Sequence, residues 1–285
     1  MSTQIATPEL KQWIVEQARA GHPPEAVLKA MTNSGWDDDL ALATLEQTLD
    51  THLTRLKRQV AAAPAKRVPL PEPDLTGSPC ELVVQDTTVR VVANMRNPRV
   101  VVFAGLLSHE ECDQLVELAR PRMARSETVD VATGGSEVNS ARTSRGMFFA
   151  RGEFDVIARV EARIAALLNW PVENGEGVQV LHYLPGAEYK PHYDYFDPAQ
   201  AGTPTILKRG GQRVGTVVMY LNTPERGGGT TFPDVDLEVA PVKGHAVFFS
   251  YDSPHPSTRT LHGGAPVLAG EKWVATKWMR AGRFD

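Results

Sequence analysis

Five prolines crowd into residues 61–79 (AAAPAKRVPLPEPDLTGSP): Pro64, Pro69, Pro71, Pro73 and Pro79. Each fixes its own φ and withholds a backbone donor, so this stretch suits neither a helix interior nor a central strand. It reads as a stiff interdomain linker, which forces the chain to fold as separate pieces on either side. The expected division is a three-helix module over residues 1–60, the linker over 61–79 and a larger domain over 80–285.

The segment before the prolines has helical periodicity. Leu10, Trp13, Ile14 and Ala18 recur at helix spacing, and Gly21 closes the run. Pro24 suits a first helical turn, and Val27, Leu28 and Met31 form the next apolar stripe before Gly35. Asp37 can cap a third helix carrying Leu40, Leu42, Leu45 and Leu49. The acidic run Asp37–Asp39 is explained by the helix N-terminus it occupies.

After the prolines the texture changes. Leu82–Val84, Val89–Val92 and Val100–Phe103 read as strands. Ser108-His-Glu-Glu111 is a capping box opening a helix that runs to about Arg120. Phe154–Leu168 is a second amphipathic helix, stopped at Trp170-Pro171. Short strands then dominate: Val178–Leu184, Tyr189–Tyr195, Val214–Leu221, Thr230–Phe232, Leu237–Ala240, Ala246–Tyr251, Pro266–Leu268 and Lys272–Met279. The fold class is mainly β with flanking helices, a closed or sandwiched β core beside a small all-α module.

Composition narrows the function. A net charge of −4 gives nucleic acid no bulk attraction. No apolar run approaches the ~20 residues of a membrane span, and the N-terminus carries no secretory pattern. With two cysteines the expected setting is reducing and cytoplasmic. Eight histidines against two cysteines mean that a bound metal would be held by imidazole and carboxylate.

The strand Tyr189-Lys-Pro-His-Tyr-Asp-Tyr195 is the richest segment. His192 and Asp194 stand two apart, so a strand turns both to one face. They make two of the three ligands of a 2-His-1-carboxylate iron site. Such a pair alone is common on protein surfaces. Downstream, His245 enters a strand from a turn, His255 sits between prolines, and His262 precedes two glycines that allow close backbone approach. The last strand places Lys272, Val274, Thr276 and Trp278 on one face, and Trp273, Ala275 and Lys277 on the other. Alternation does not say which lysine is inside. An inward lysine needs an anion such as a dicarboxylate, whereas a rim lysine snorkels to water.

The ordered blocks resemble a known family. Tyr183 in Leu-His-Tyr-Leu-Pro-Gly, Tyr189-Lys-Pro-His192-Tyr-Asp194, Gly-Gly-Gln-Arg213, Gly-Gly-Gly-Thr230, and Leu-His262-Gly-Gly followed by Glu-Lys272-Trp occur in sequence, after Ala-Arg142-Thr-Ser144. Over residues 98–285 this is similar to the catalytic domain of the prolyl 4-hydroxylase family of Fe(II)/2-oxoglutarate dioxygenases. The resemblance implies a double-stranded β-helix, or jelly roll. It implies Fe(2+), with 2-oxoglutarate and O2 as co-substrates and ascorbate as reductant. By it, His192, Asp194 and His262 are the iron ligands, and Lys272 pairs with the distal carboxylate of 2-oxoglutarate. Tyr183 and Thr230 line the co-substrate pocket, Trp278 its wall, and Tyr189 and Arg213 the peptide groove. The implied reaction hydroxylates a prolyl residue in a peptide or protein, releasing succinate and CO2. Hydroxylation of a free amino acid or other small molecule is the rival within the class, and a non-catalytic metal or 2-oxoglutarate sensor the rival outside it. The segment Asp197–Gly210 is a candidate lid. Residues 8–50 resemble, more loosely, a ubiquitin-associated-like three-helix module, which implies docking or self-association.

Overall fold

The computed structural model describes residues 6–19, 22–62, 69–125, 128–129, 136–137 and 143–285. The chain forms two compact units, Met1–Arg67 and Val68–Asp285.

The first unit has helices α1 (Pro8–Arg19), α2 (Pro24–Asn33) and α3 (Asp38–Ala62). Pro24 occupies the first turn of α2, where its missing N–H costs nothing. Asp37 Oδ1 accepts from the Leu40 N–H at 3.1 Å, capping α3. Ile14, Val27, Met31, Ala41 and Leu45 form a small core. Leu42, expected on the buried stripe, is 43% exposed, and Ala41 takes the inner position.

The proline segment divides differently from the expectation. Its second half is part of the β unit. Leu70 and Leu75 pack on that unit's core, and the Glu72 N–H donates to the Leu168 carbonyl at 2.8 Å. The Glu72 carboxylate grips Arg99 at 2.5 and 2.9 Å. Prolines that bar a strand still allow an extended chain to lie along a packed surface.

In the second unit the Ser108 capping box opens α4 (His109–Ala119), with both reciprocal bonds formed. Helix α5 (Asp155–Leu168) ends at the expected Leu168, where Asn169 turns left-handed at φ 49° ahead of Trp170-Pro171. The described strands form a nine-stranded antiparallel sheet and a four-stranded one, with two short pairs beside them. The centre of the large sheet runs Arg99–Ala104, Ala246–Ser250, Arg213–Tyr220, Lys272–Arg280, Val178–Tyr183. The small sheet runs Leu237–Val239, Thr230–Phe232, His262–Gly264, Tyr189–His192.

Two cores lie on opposite faces of the large sheet. One includes α4, α5 and inward residues such as Phe103, Phe248, Trp273 and Ala275. The other, with Leu181, Tyr220, Phe249, Val274 and Phe232, fills the space against the small sheet. Strands covered on both faces lose the apolar–polar alternation of a half-exposed sheet. All nine residues of Lys272–Arg280 are buried. The unit is the closed β core expected from the strand pattern, in the jelly-roll form that the resemblance implied. The Asp197–Gly210 segment contains a short helix, Thr203–Leu207, and Thr203 is buried.

Candidate active site

His192 and His262 are direct partners across neighbouring strands of the small sheet. Their rings lie 4.4 Å apart between centroids. Gly263 makes the pairing close: a Cβ there would sit 2.9 Å from the Tyr189 carbonyl oxygen and 3.2 Å from the Pro191 nitrogen. The Tyr189 ring stacks on His192 at 3.8 Å, and Phe249 supports His262 at 4.4 Å. The first of these strands ends at His192, so Asp194 lies beyond it rather than on it as expected. The chain nonetheless returns the carboxylate to the histidines. Asp194 Oδ1 is 3.6 Å from His192 Nε2, and Oδ2 is 3.4 Å from His262 Nε2. Among the described residues, these three are the only group of histidine, cysteine and acidic side chains able to hold a metal. His245 and His255 stand outside it; His255 Nδ1 instead caps a turn through the Ser257 N–H.

The donor set fits a cation. Nδ1 of His192 lies 2.9 Å from the Lys190 carbonyl, and Nδ1 of His262 lies 3.0 Å from the Thr260 carbonyl. A carbonyl only accepts, so each Nδ1 carries the proton and each Nε2 presents a lone pair. Two lone pairs then face a carboxylate, an arrangement stable with a cation between them. In the metal-free chain burial pushes the Asp194 carboxyl up, but positive charge shared with the His262 and His192 rings holds it well below the usual carboxylate range, the role a bound cation would take over. Burial, aided by His262, lowers the pKa of His192, which keeps that ring neutral for ligation.

These ligand atoms open on a cavity between the two sheets. Tyr183, Tyr189, Thr230, Lys272 and Trp278 line it with the triad, as do Leu181, Val218 and Val274. Lys272 enters from the large sheet and is 4% exposed. Its Nζ lies over the rings of Tyr183 (5.4 Å) and Tyr220 (6.0 Å). Among the described residues it has no carboxylate partner within ion-pair distance, and burial pushes its pKa down to about 8. Both lysines of the last strand are inside. Lys277 serves the opposite core, paired with Glu161 of α5 and with the Glu176 carbonyl.

Arg213, expected in the peptide groove, is not among the cavity-lining residues but lies behind Trp278, which is. Its Nε and Nη2 grip the Glu176 carboxylate at 2.7 and 2.9 Å, and its guanidinium lies 4.0 Å over the Trp278 ring. Arg280 joins the same carboxylate at 2.7 Å. Burial works to raise the Glu176 pKa, but Arg213 holds it low. Arg213 also supports Trp278 and the Asp194 main chain, whose carbonyl is 3.4 Å from Nη1. Arg142 lies outside the described residues; Ser144 is buried.

Sequence reasoning missed Thr216, Tyr220, Tyr251 and Glu176. Tyr220 Oη donates to Thr230 Oγ1 at 2.8 Å. Thr216 Oγ1 donates to Asp194 Oδ2 at 2.7 Å. A threonine within the apolar run Val214–Leu221 was the available signal, since a buried hydroxyl needs a partner.

Residues 178–280 match the 2OG-Fe(II) oxygenase superfamily. The chain is 42% identical over 209 residues to prolyl 4-hydroxylase 5 of Arabidopsis thaliana, covering 66% of this chain and 70% of that protein. It is 46% identical over 202 residues to prolyl 4-hydroxylase 1 of the same plant, covering 65% and 69%. A solved viral collagen prolyl hydroxylase from Paramecium Bursaria Chlorella virus-1, in complex with 2OG, is 32% identical, with 64% of this chain and 94% of that one covered at a TM-score of 0.49. With the triad and the buried lysine in one cavity, and relatives of this identity over this length, the chain belongs to the prolyl 4-hydroxylase family of 2OG-Fe(II) oxygenases.

Proposed function

We propose that this protein hydroxylates C4 of a prolyl residue in a peptide or protein, turning 2-oxoglutarate and O2 into succinate and CO2. The observation that carries the reading is the meeting of His192, Asp194 and His262 with an unpaired buried lysine in one cavity. The substrate class is supported by the prolyl 4-hydroxylases to which the chain is similar.

Each residue has a defined task. His192, Asp194 and His262 would hold Fe(II), which supplies, with its co-substrates, the oxidising power for C–H cleavage. Lys272 supplies the counter-charge for the far carboxylate of 2-oxoglutarate, a charge-assisted pair strengthened by burial. The hydroxyls of Tyr183 and Thr230 offer further polar contacts along the same wall. Leu181, Val218 and Val274 exclude water. Trp278, clamped by Arg213, gives a prolyl ring a flat apolar surface, and its Nε1–H has no protein acceptor among the described residues.

The test is succinate release with Fe(II), 2-oxoglutarate, O2 and proline-containing peptides, with mass spectrometry for one added oxygen on proline. We expect His192→Ala, Asp194→Ala and His262→Ala each to fall to background. Turnover with free amino acids but no peptide would replace the substrate assignment. Tight 2-oxoglutarate binding with no turnover would replace the enzyme by a sensor.

A further inference from the structure

The Asp194 carboxylate has a partner outside the histidines. Beyond the 2.7 Å bond from Thr216 to Oδ2, Tyr251 Oη lies 3.2 Å from Thr216 Oγ1. All three residues are buried. A hydroxyl has one proton, and an ionised carboxylate only accepts, so Thr216 donates to Asp194. Thr216 Oγ1 is then the acceptor for Tyr251. The chain runs one way, from Tyr251 through Thr216 to Oδ2.

The elements make this alignment rigid. Thr216 lies on the strand Arg213–Tyr220, and Tyr251 follows Ala246–Ser250, its sheet neighbour, with Gly215 opposite Ser250. The Tyr251 N–H donates to the Val214 carbonyl at 3.2 Å. Arg213 holds the Asp194 main chain from the same strand.

We propose that Thr216 and Tyr251 are positioning residues that occupy Asp194 Oδ2, so that the carboxylate serves the metal through Oδ1 alone. This rests on the metal-centre reading above. A carboxylate using both oxygens would add a fourth protein donor and take a position that the co-substrates need. Outer partners of this kind orient the ligand and tune the metal.

The test uses the full chain and Mn(II), followed by electron paramagnetic resonance and calorimetry, first alone and then with 2-oxoglutarate. Thr216→Val removes the hydroxyl and keeps the shape. It should weaken Mn(II) binding about tenfold or more and weaken 2-oxoglutarate binding to the Mn(II)-loaded protein. Thr216→Ser should restore both, and Tyr251→Phe should give an intermediate loss. Thr216→Val leaves the buried Tyr251 hydroxyl and Asp194 Oδ2 without their partner, so that metal-free variant should melt lower than the parent, and affinities are compared at a temperature where every variant is folded. Mn(II) and 2-oxoglutarate binding unchanged in Thr216→Val overturns the proposal and leaves the metal centre standing. If Thr216→Val does not fold, Tyr251→Phe decides: parental affinities there overturn the proposal. A parent that binds no Mn(II) overturns the metal centre and the proposal together.

Discussion

Lys272 holds a positive charge where no carboxylate of the described residues lies within ion-pair distance, and the longer-range pull of Glu238 does not offset its burial. Burial lowers its pKa from 10.5 to about 8, a burden of about 3 kcal/mol on the folded state at neutral pH. The unfolded chain keeps the proton up to about 10.5, so stability climbs as pH rises from about 8 toward that value. Replacing Lys272 with Met should therefore raise the melting temperature at pH 7 by several degrees, measured by calorimetry. The same variant should raise the 2-oxoglutarate requirement by about a hundredfold, since a buried charge pair is lost. In the parent, 2-oxoglutarate affinity should fall as pH passes upward through about 8, because binding then requires proton uptake; titration calorimetry in buffers of different ionisation heat checks this. An unchanged requirement in Lys272→Met would remove the lysine from the co-substrate site. The residue types of the site were legible in the sequence, but strand alternation could not choose between Lys272 and Lys277; only the family resemblance did. Alternation assumes one wet face, and this strand has none.

Strand pairing decides the metal site. His192 and His262 are far apart in sequence, and only the register of their two strands makes them opposite. The glycines after His262 marked it among His245, His255 and His262, but its pairing with His192 is set by the whole sheet. The His-x-Asp spacing was legible, although Asp194 reaches the site from beyond the strand end. The close approach of the two strands depends on Gly263, whose neighbours are backbone atoms that do not move aside. Gly263→Ala should cost about 1–3 kcal/mol of stability, judged as overpacking. It should also weaken Mn(II) binding relative to a control Gly282→Ala, since a Cβ at Gly282 would make only ordinary contact, 3.7 Å at the nearest. Equal Mn(II) affinity in both variants would show that the register survives without Gly263. The Arg213–Glu176 pair was not legible for a related reason: the two residues lie on different segments, and no local pattern couples them.

At the scale of the molecule, the proline stretch was read as a boundary, and the two compact units meet within it at Arg67. Its reach to Pro79 was overestimated because proline content reports what a segment cannot form, not what it lies against. A chain beginning at Val68 should keep the melting profile of the β unit and its 2-oxoglutarate turnover. One beginning at Cys80 loses Leu70, Leu75 and the Glu72–Arg99 pair and should melt several degrees lower. Equal melting of the two would place the segment outside the cooperative unit. A closed or sandwiched β core was legible because short strands in close succession have few other ways to close, and the family resemblance made it a jelly roll. The strand Lys272–Arg280 has a wider consequence. It feeds both cores at once, with the co-substrate lysine facing one and the Glu161 partner Lys277 facing the other. A saturation mutagenesis scan should find nine consecutive intolerant positions there, without the every-second-residue tolerance of the edge strand Glu81–Val84. Drift in this stretch is frozen twice over, by folding and by chemistry. New substrate preferences in such a chain have to arise in segments that answer to only one of those demands.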